Sequence, residues 1–215
     1  MLFLIFGSSA AGKTFALDAL RGRVPDLAIH DFDEVGVPAD ADKTWRQHSN
    51  EVWIGRALEY QAQGVDLLLA GQTPIGELLA SPSAPLLEAI SACLIDCDDG
   101  TRVARLRARG SECFGGSAAD LQAYLSWAEW MRRHAEDPTW RPDVIREGAA
   151  EELRWERWSA WQRGDPRWRV RVIDTTTLPV EDVVDQLSAW IDEERLLVRS
   201  GGHARASLDG RHHRG

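Results

Sequence analysis

Residues 7–14 read Gly-Ser-Ser-Ala-Ala-Gly-Lys-Thr, between Leu2-Phe3-Leu4-Ile5-Phe6 and Phe15-Ala16-Leu17-Asp18-Ala19-Leu20. The octapeptide satisfies G-x-x-x-x-G-K-[ST]. Its flanks read as a buried strand and a helix, the context in which that pattern folds as a phosphate-binding loop. Gly7 and Gly12 permit turns that aim the backbone N–H groups around Ser8, Ser9, Ala10 and Ala11 inward at an anion. The following helix adds unpaired N–H groups and the positive end of its dipole. Lys13 is placed to reach β- and γ-phosphates, and the Thr14 hydroxyl to ligate Mg²⁺. The alternative is a glycine-rich turn with a solvated lysine. Strand, loop and helix in register favour a site for a nucleoside triphosphate.

Outward from the loop, strand and helix patterns alternate. Leu27-Ala28-Ile29-His30 reads as strand 2, ending at Asp31. Lys43 to Gln63 reads as a helix with Gly64 behind it as its stop. Val65 to Ala70 reads as strand 3, closed by Gly71, and one or two short helices are expected before strand 4 at Ala92 to Asp96. A helix capped by Asp98 or Asp99 runs to Arg109, with Gly110 as its stop. Ser111 to Ser117 is small, glycine-rich and expected to be mobile. Two further helices are expected, roughly Ala118 to Glu136 and Pro142 to Arg163, the second begun by proline. Trp168 to Ile173 reads as strand 5, and Pro179 opens a last helix to about Leu197. The pattern predicts one α/β domain over 1–198 and a disordered tail over 199–215. Alternating β and α implies a parallel sheet covered on both faces, with ligands at the carboxyl edge.

At 215 residues the chain is long enough for one substantial core. A net charge of −9 disfavours nonspecific nucleic-acid binding. Lys13 and Lys43 are the only lysines among 25 basic residues, so the lysine of the loop stands out. Cys93, Cys97 and Cys113 have neither metal-type spacing nor even pairing, which fits a reducing cytoplasm. No apolar run reaches the length of a membrane span, and Leu2 to Phe6 reads as a core strand, not a signal peptide.

Strand 2 ends in Asp31-Phe32-Asp33. Alternation along an extended chain would point both carboxylates to one side. Beside a triphosphate, one can serve a Mg²⁺ shell and the other can accept a proton from an attacking hydroxyl. The alternative is a polar turn with aspartate as a cap. The Asp-x-Asp after a phosphate loop resembles the small P-loop kinases: shikimate kinase, gluconate kinase, chloramphenicol phosphotransferase and the nucleoside monophosphate kinases. The resemblance covers about residues 1 to 195.

That resemblance implies a three-layer P-loop fold, a five-stranded parallel sheet in the order 2-3-1-4-5, and a helical lid over about 110–142. It implies ATP and Mg²⁺ as cofactors and a small-molecule acceptor. It casts Asp31 with Thr14 at the metal and Asp33 at the acceptor hydroxyl, with Lys13 acting in catalysis. Arg109, ending the run Thr101 to Gly110, matches an arginine that packs on adenine. Arg132 and Arg133 are candidates for the phosphate-clamping arginines of the lid. Ile173-Asp174-Thr175-Thr176 resembles the last strand and its base-touching loop. Gly71-Gln72-Thr73 stands where shikimate kinase carries a substrate loop with three glycines, so the acceptor is not named.

Trp155, Trp158 and Trp161 recur every three residues and read as a buried helix stripe. Trp45 and Trp53 lie on the helix that covers the acceptor in the resembled kinases, with packing as the ordinary role. Arg46 and Arg56 share that helix and are candidates to receive an anionic acceptor, against the ordinary reading of a solvated face. His30 reads as packing. Three other functions compete with a kinase. A GTPase is disfavoured because Asn50, the only asparagine, rules out Asn-Lys-x-Asp. An ATPase of the broad AAA type lacks its acid after strand 3, although Gln72 there can position a water. The third is a nonenzymatic nucleotide-binding module.

Overall fold

The structure, a computed structural model, describes residues 1–110 and 117–201. Five parallel strands stand in the order β2-β3-β1-β4-β5, formed by Leu2–Phe6 (β1), Leu27–Asp31 (β2), Asp66–Gly71 (β3), Ile90–Asp96 (β4) and Val170–Asp174 (β5). β1 runs between β3 and β4, with Phe6 level with Gly71 and Leu94. That register brings the ends of β1, β3 and β4 to one edge, with Asp31 of β2 level with Ala70.

The helices are Lys13–Leu20 (α1), Lys43–Ala62 (α2), Ile75–Ala80 (α3), Asp99–Ala108 (α4), Ala118–Glu136 (α5), Asp143–Arg146 (α6) and Val180–Arg199 (α7). Side chains of β1 alternate between two cores. Leu2, Leu4 and Phe6 join Trp53, Leu78, Met131 and Trp158 on one face. Phe3 and Ile5 join Leu17, Leu20, Leu187 and Trp190 on the other. The sheet is thus sandwiched between α2, α3 and α5 on one side and α1 with α7 on the other, the three-layer solution for a sheet apolar on both faces.

One expected helix does not form. Of Pro142 to Arg163, only α6 and a 3₁₀ turn at Trp155–Arg157 are helical. Gly148 takes φ 63° and ends the helical path. Beyond it the chain is a strap over α3. Arg154 N–H donates to Ala80 O at 2.7 Å, and the Arg157 guanidinium donates to the carbonyls of Leu79, Ser81 and Pro82. The spacing of three mimicked a helix because Trp158 and Trp161 are both buried by consecutive tight turns. The indole of Trp158 donates to Gly76 O at 2.9 Å, so its polar edge is satisfied in the core.

The segment expected as a lid divides. Residues 111–116 lie outside the described residues, as does the tail from 202. Ala128, Trp130, Met131, His134 and Ala135 of α5 are buried in the core. The expected lid boundary at 142 therefore takes in core residues. Phosphate-loop contact occurs farther up the helix, where the Ser8 hydroxyl donates to Tyr124 O at 3.2 Å.

Candidate functional site

The loop after β1 is shaped from both sides. Gly7 adopts φ 156°, and a Cβ there would stand 2.2 Å from Ile95 O, so β4 can approach only a glycine. Ala10 (φ 63°) and Gly12 (φ 102°) turn the chain back toward α1. Behind the loop its carbonyls are held. Arg102 donates to Ser9 O, Arg105 Nη1 to Ala10 O at 3.3 Å, and the Thr175 hydroxyl to Ala11 O at 2.7 Å. In a trans peptide the N–H opposes the carbonyl. Holding those oxygens at the back turns the N–H groups of Ala10 and Gly12 forward, as an anion-binding cradle requires, while the Ala11 N–H makes a long 3.4 Å hydrogen bond to Ser8 O.

In front of the cradle lies a cleft of about 520 Å³, with Lys13, Thr14, Asp31 and Asp33 in its lining. Lys13 Nζ folds over the loop, donating to Gly7 O at 2.7 Å and Ser8 O at 3.1 Å. Burial lowers its pKa to about 8, the positive charges of Arg102 and Arg109 add to the effect, and Asp31 and Asp33 oppose it. A partly desolvated cation with no ion-pair partner among the described residues matches an incoming phosphate.

The acidic pair reaches the cleft by a route other than strand alternation. After Asp31 the chain winds into a 3₁₀ turn, Phe32–Val35. The Asp31 carboxylate caps it, accepting Asp33 N–H at 3.0 Å, while Glu34 accepts the Asp31 N–H at 2.9 Å. Asp31 is therefore a turn cap and a cleft residue at once. Asp33 has its pKa raised, first by burial and then by the Asp31 charge, with Lys13 opposing. Gly71 makes room for the turn, because a Cβ there would meet Phe32 Cβ at 2.5 Å. His30, read as packing, contacts Tyr60 and Glu34 at 3.0 and 2.7 Å.

The aromatic residues of α2 separate. Trp45 lines the cleft, whereas Trp53 is fully buried and donates to Phe32 O at 3.0 Å, anchoring the turn of the aspartates. Arg56 stacks over Trp53 at 4.5 Å and lies outside the cleft. Arg46 lines it, together with Trp127 of α5, which sequence reasoning missed. No local pattern marks Trp127, because only tertiary packing brings α5 over α2.

Arg109 lines the cleft and also a second cavity of about 350 Å³, whose walls include Phe15, Ala108, Thr175, Leu178 and Val183. Phe15 is 66% exposed there, an unusual position for an aromatic ring. Arg132 and Arg133 line neither cavity among the described residues. Arg132 Nε donates to Asp96 Oδ2 at 2.5 Å and Nη2 to Asp99 at 3.4 Å. Arg133 pairs with Glu129 at 3.0 Å and lies over Trp140.

Asp96 also accepts from the buried Arg102, so one carboxylate joins α5 to the arginine behind the loop. Asp96, Arg102 and Arg105 were missed as site residues. The available signal was arginines facing inward on a helix that follows a strand of the carboxyl edge. Among the described residues no three His, Cys, Asp or Glu gather as a metal site. The donor set does suit Mg²⁺ carried on a nucleotide, which needs only one or two carboxylates besides phosphate and water.

No protein-family model and no curated protein sequence matches the chain. Solved structures do. A sugar kinase from Janibacter sp. HTCC2649 superposes with a TM-score of 0.54 at 15% identity, over 89% of this chain and 94% of its own. A protein from Chloroflexus aurantiacus J-10-fl superposes at 0.51 with 14% identity, over 89% and 96%. The shared feature at this identity is the fold, a three-layer α/β architecture around a five-stranded parallel sheet.

Proposed function

We propose that this chain is an ATP- and Mg²⁺-dependent phosphotransferase acting on a small hydroxylated acceptor. The observation that carries the reading is the convergence of Lys13, Thr14, Asp31 and Asp33 on one cleft in front of a braced phosphate cradle. Phosphoryl transfer needs positioning and charge neutralisation, and these groups supply both.

The cradle would hold the β-phosphate by forward N–H groups, with Lys13 leaving Gly7 O for a phosphate oxygen. Thr14 and Asp31 would hold Mg²⁺, whose contribution is to neutralise charge between the β- and γ-phosphates. The raised pKa of Asp33 makes its carboxylate a stronger base, which suits it to take the proton of an acceptor hydroxyl. The apolar second cavity, with Phe15 and Arg109, suits a nucleoside base. Trp45 and Trp127 wall the acceptor side and would exclude water from it. Arg132 and Arg133 enter this scheme only if α5 moves, whereas Arg109 already lines both cavities.

A hydrolase is the second reading, supported by Gln72, whose Nε2 lies 3.3 Å from Ser9 Oγ at the cleft. ADP release measured with and without a pool of hydroxylated metabolites separates the two. Stimulation by the pool, lost in Asp33→Asn, supports transfer. Basal turnover indifferent to the pool supports hydrolysis.

A further inference from the structure

The cleft lining holds Asp31, Asp33 and Asp42 with four cations, of which Lys13 lies over the phosphate loop and Arg109 borders the second cavity, so that Lys43 and Arg46 are left on the acceptor side. Both cations are already engaged by the protein. Arg46 Nε and Nη2 donate to Glu77 Oε2 and Oε1 at 2.8 and 2.7 Å, a two-point pair. Glu77 is fully buried and accepts a third hydrogen bond, from Gln47 Nε2 at 3.0 Å. Its charge is fixed beside Arg46 and cancels most of the field that Arg46 would send into the cleft. Lys43 Nζ donates to the carbonyls of Val144 and Glu147, which points it at the α6 segment. With Arg46 offset by Glu77, the carboxylates Asp33 and Asp42 outnumber Lys43 on the side toward the acceptor, and Trp45 and Trp127 form its apolar wall.

We infer that the acceptor is an uncharged hydroxylated molecule with an apolar face, and that carboxylate- and phosphate-bearing acceptors are excluded. This rests on the phosphotransferase reading and sharpens it. An anionic group entering on the acceptor side meets the like charges of Asp33 and Asp42, while among the described cations of that side Arg46 is paired with Glu77 and Lys43 is turned to the carbonyls of the α6 segment. A ring or carbon skeleton loses water favourably against the tryptophans. The Arg46–Glu77 pair then serves as a rigid polar wall, with guanidinium N–H left to hydrogen-bond a hydroxyl.

Two measurements test the inference. In the first, three pools of hydroxylated compounds matched in size are incubated with protein and ATP·Mg²⁺, one uncharged, one carboxylate-bearing and one phosphate-bearing. Phosphorylated products are read by mass spectrometry. Product in the uncharged pool, at least about tenfold above the others, is expected; product confined to an anionic pool overturns the inference and leaves the kinase reading standing. Absence of product from all pools counts against the kinase reading, and the second measurement still decides the charge of the site.

That second measurement is binding of benzyl alcohol and of benzoate, read by tryptophan fluorescence, to the wild type and to Glu77→Gln. Wild type is expected to prefer benzyl alcohol, and Glu77→Gln to gain on the order of tenfold in benzoate affinity as Arg46 is uncovered. Wild-type benzoate binding equal to or tighter than benzyl alcohol overturns the inference, and this comparison stands even if the variant does not fold.

Discussion

The Lys13 ammonium donates to the Gly7 carbonyl oxygen at 2.7 Å, across the mouth of the loop that both residues help to form. The cation is thereby held over the cradle with its pKa lowered to about 8. Below that pH it is charged, and above it the positive charge is lost. Affinity for ATP should therefore be full below pH 8 and fall above it, by up to about tenfold per pH unit. Calorimetric titration from pH 6.5 to 9.5 checks this. Lys13→Ala should bind weakly with a flat profile over the same range, and an equal slope in the variant would assign the titration to another group.

Gly71 and Phe32 are a second close pair. Gly71→Ala places a Cβ 2.5 Å from Phe32 Cβ. The turn that carries Asp31 and Asp33 must then shift, because β3 is buried and paired on both sides. The expected result is a transfer rate reduced at least about tenfold, with a stability loss of about 1–3 kcal/mol. Unchanged kinetics in a folded variant would show that the position of the turn does not matter to the reaction.

Thr175 braces the loop from behind. Thr175→Val keeps the shape and removes the hydroxyl that donates to Ala11 O at 2.7 Å. An unpaired buried carbonyl costs about 1–3 kcal/mol. Thermal unfolding should register that loss, and ATP affinity should fall by about tenfold as the cradle loosens. Wild-type affinity in this variant would mean that the cradle is fixed without the brace.

His134 tests the core. Its Nδ1–H donates to Trp140 O at 3.1 Å, and its buried Nε2 has no partner among the described residues. Burial lowers its pKa to about 4. The unfolded residue titrates near the ordinary value, so between about pH 6.5 and 4 the unfolded state binds more protons. Its contribution is fully present above pH 6.5 and is lost as pH falls toward 4. From pH 7 to pH 5 it should account for about 2 kcal/mol of lost stability. Urea unfolding at both pH values should show a drop smaller by that amount in His134→Phe than in the wild type. An equal drop would contradict a neutral, buried His134.

The sequence made the sheet legible because each strand is a short apolar run closed by Gly or Asp at the carboxyl edge, as Asp31, Gly71 and Asp96 show. Phosphate-loop residues were legible for a local reason, since Gly7 and Gly12 mark the turns themselves. What escaped was set by distant contacts. Trp155, Trp158 and Trp161 kept helical spacing while Gly148 and the carbonyls of α3 held their backbone in turns. Arg46 read as a candidate for an anionic acceptor because Glu77, its buried partner, lies 31 residues away. Arg102 and Arg105 lie inside the run Thr101 to Gly110, of which the sequence singles out only Arg109, although they reach the back of the loop.

The most direct measurement is the fate of the γ-phosphoryl group. ATP carrying ¹⁸O in that group, with Mg²⁺ and a protein-free metabolite extract, is incubated with the wild type and with Asp33→Asn, and the label is followed by mass spectrometry. The expected result is label in the phosphate ester of an uncharged small molecule with the wild type, and on the order of 10²–10⁴-fold less with Asp33→Asn. Label found only in inorganic phosphate, at a rate the extract does not change, would contradict the assignment of this chain as a phosphotransferase.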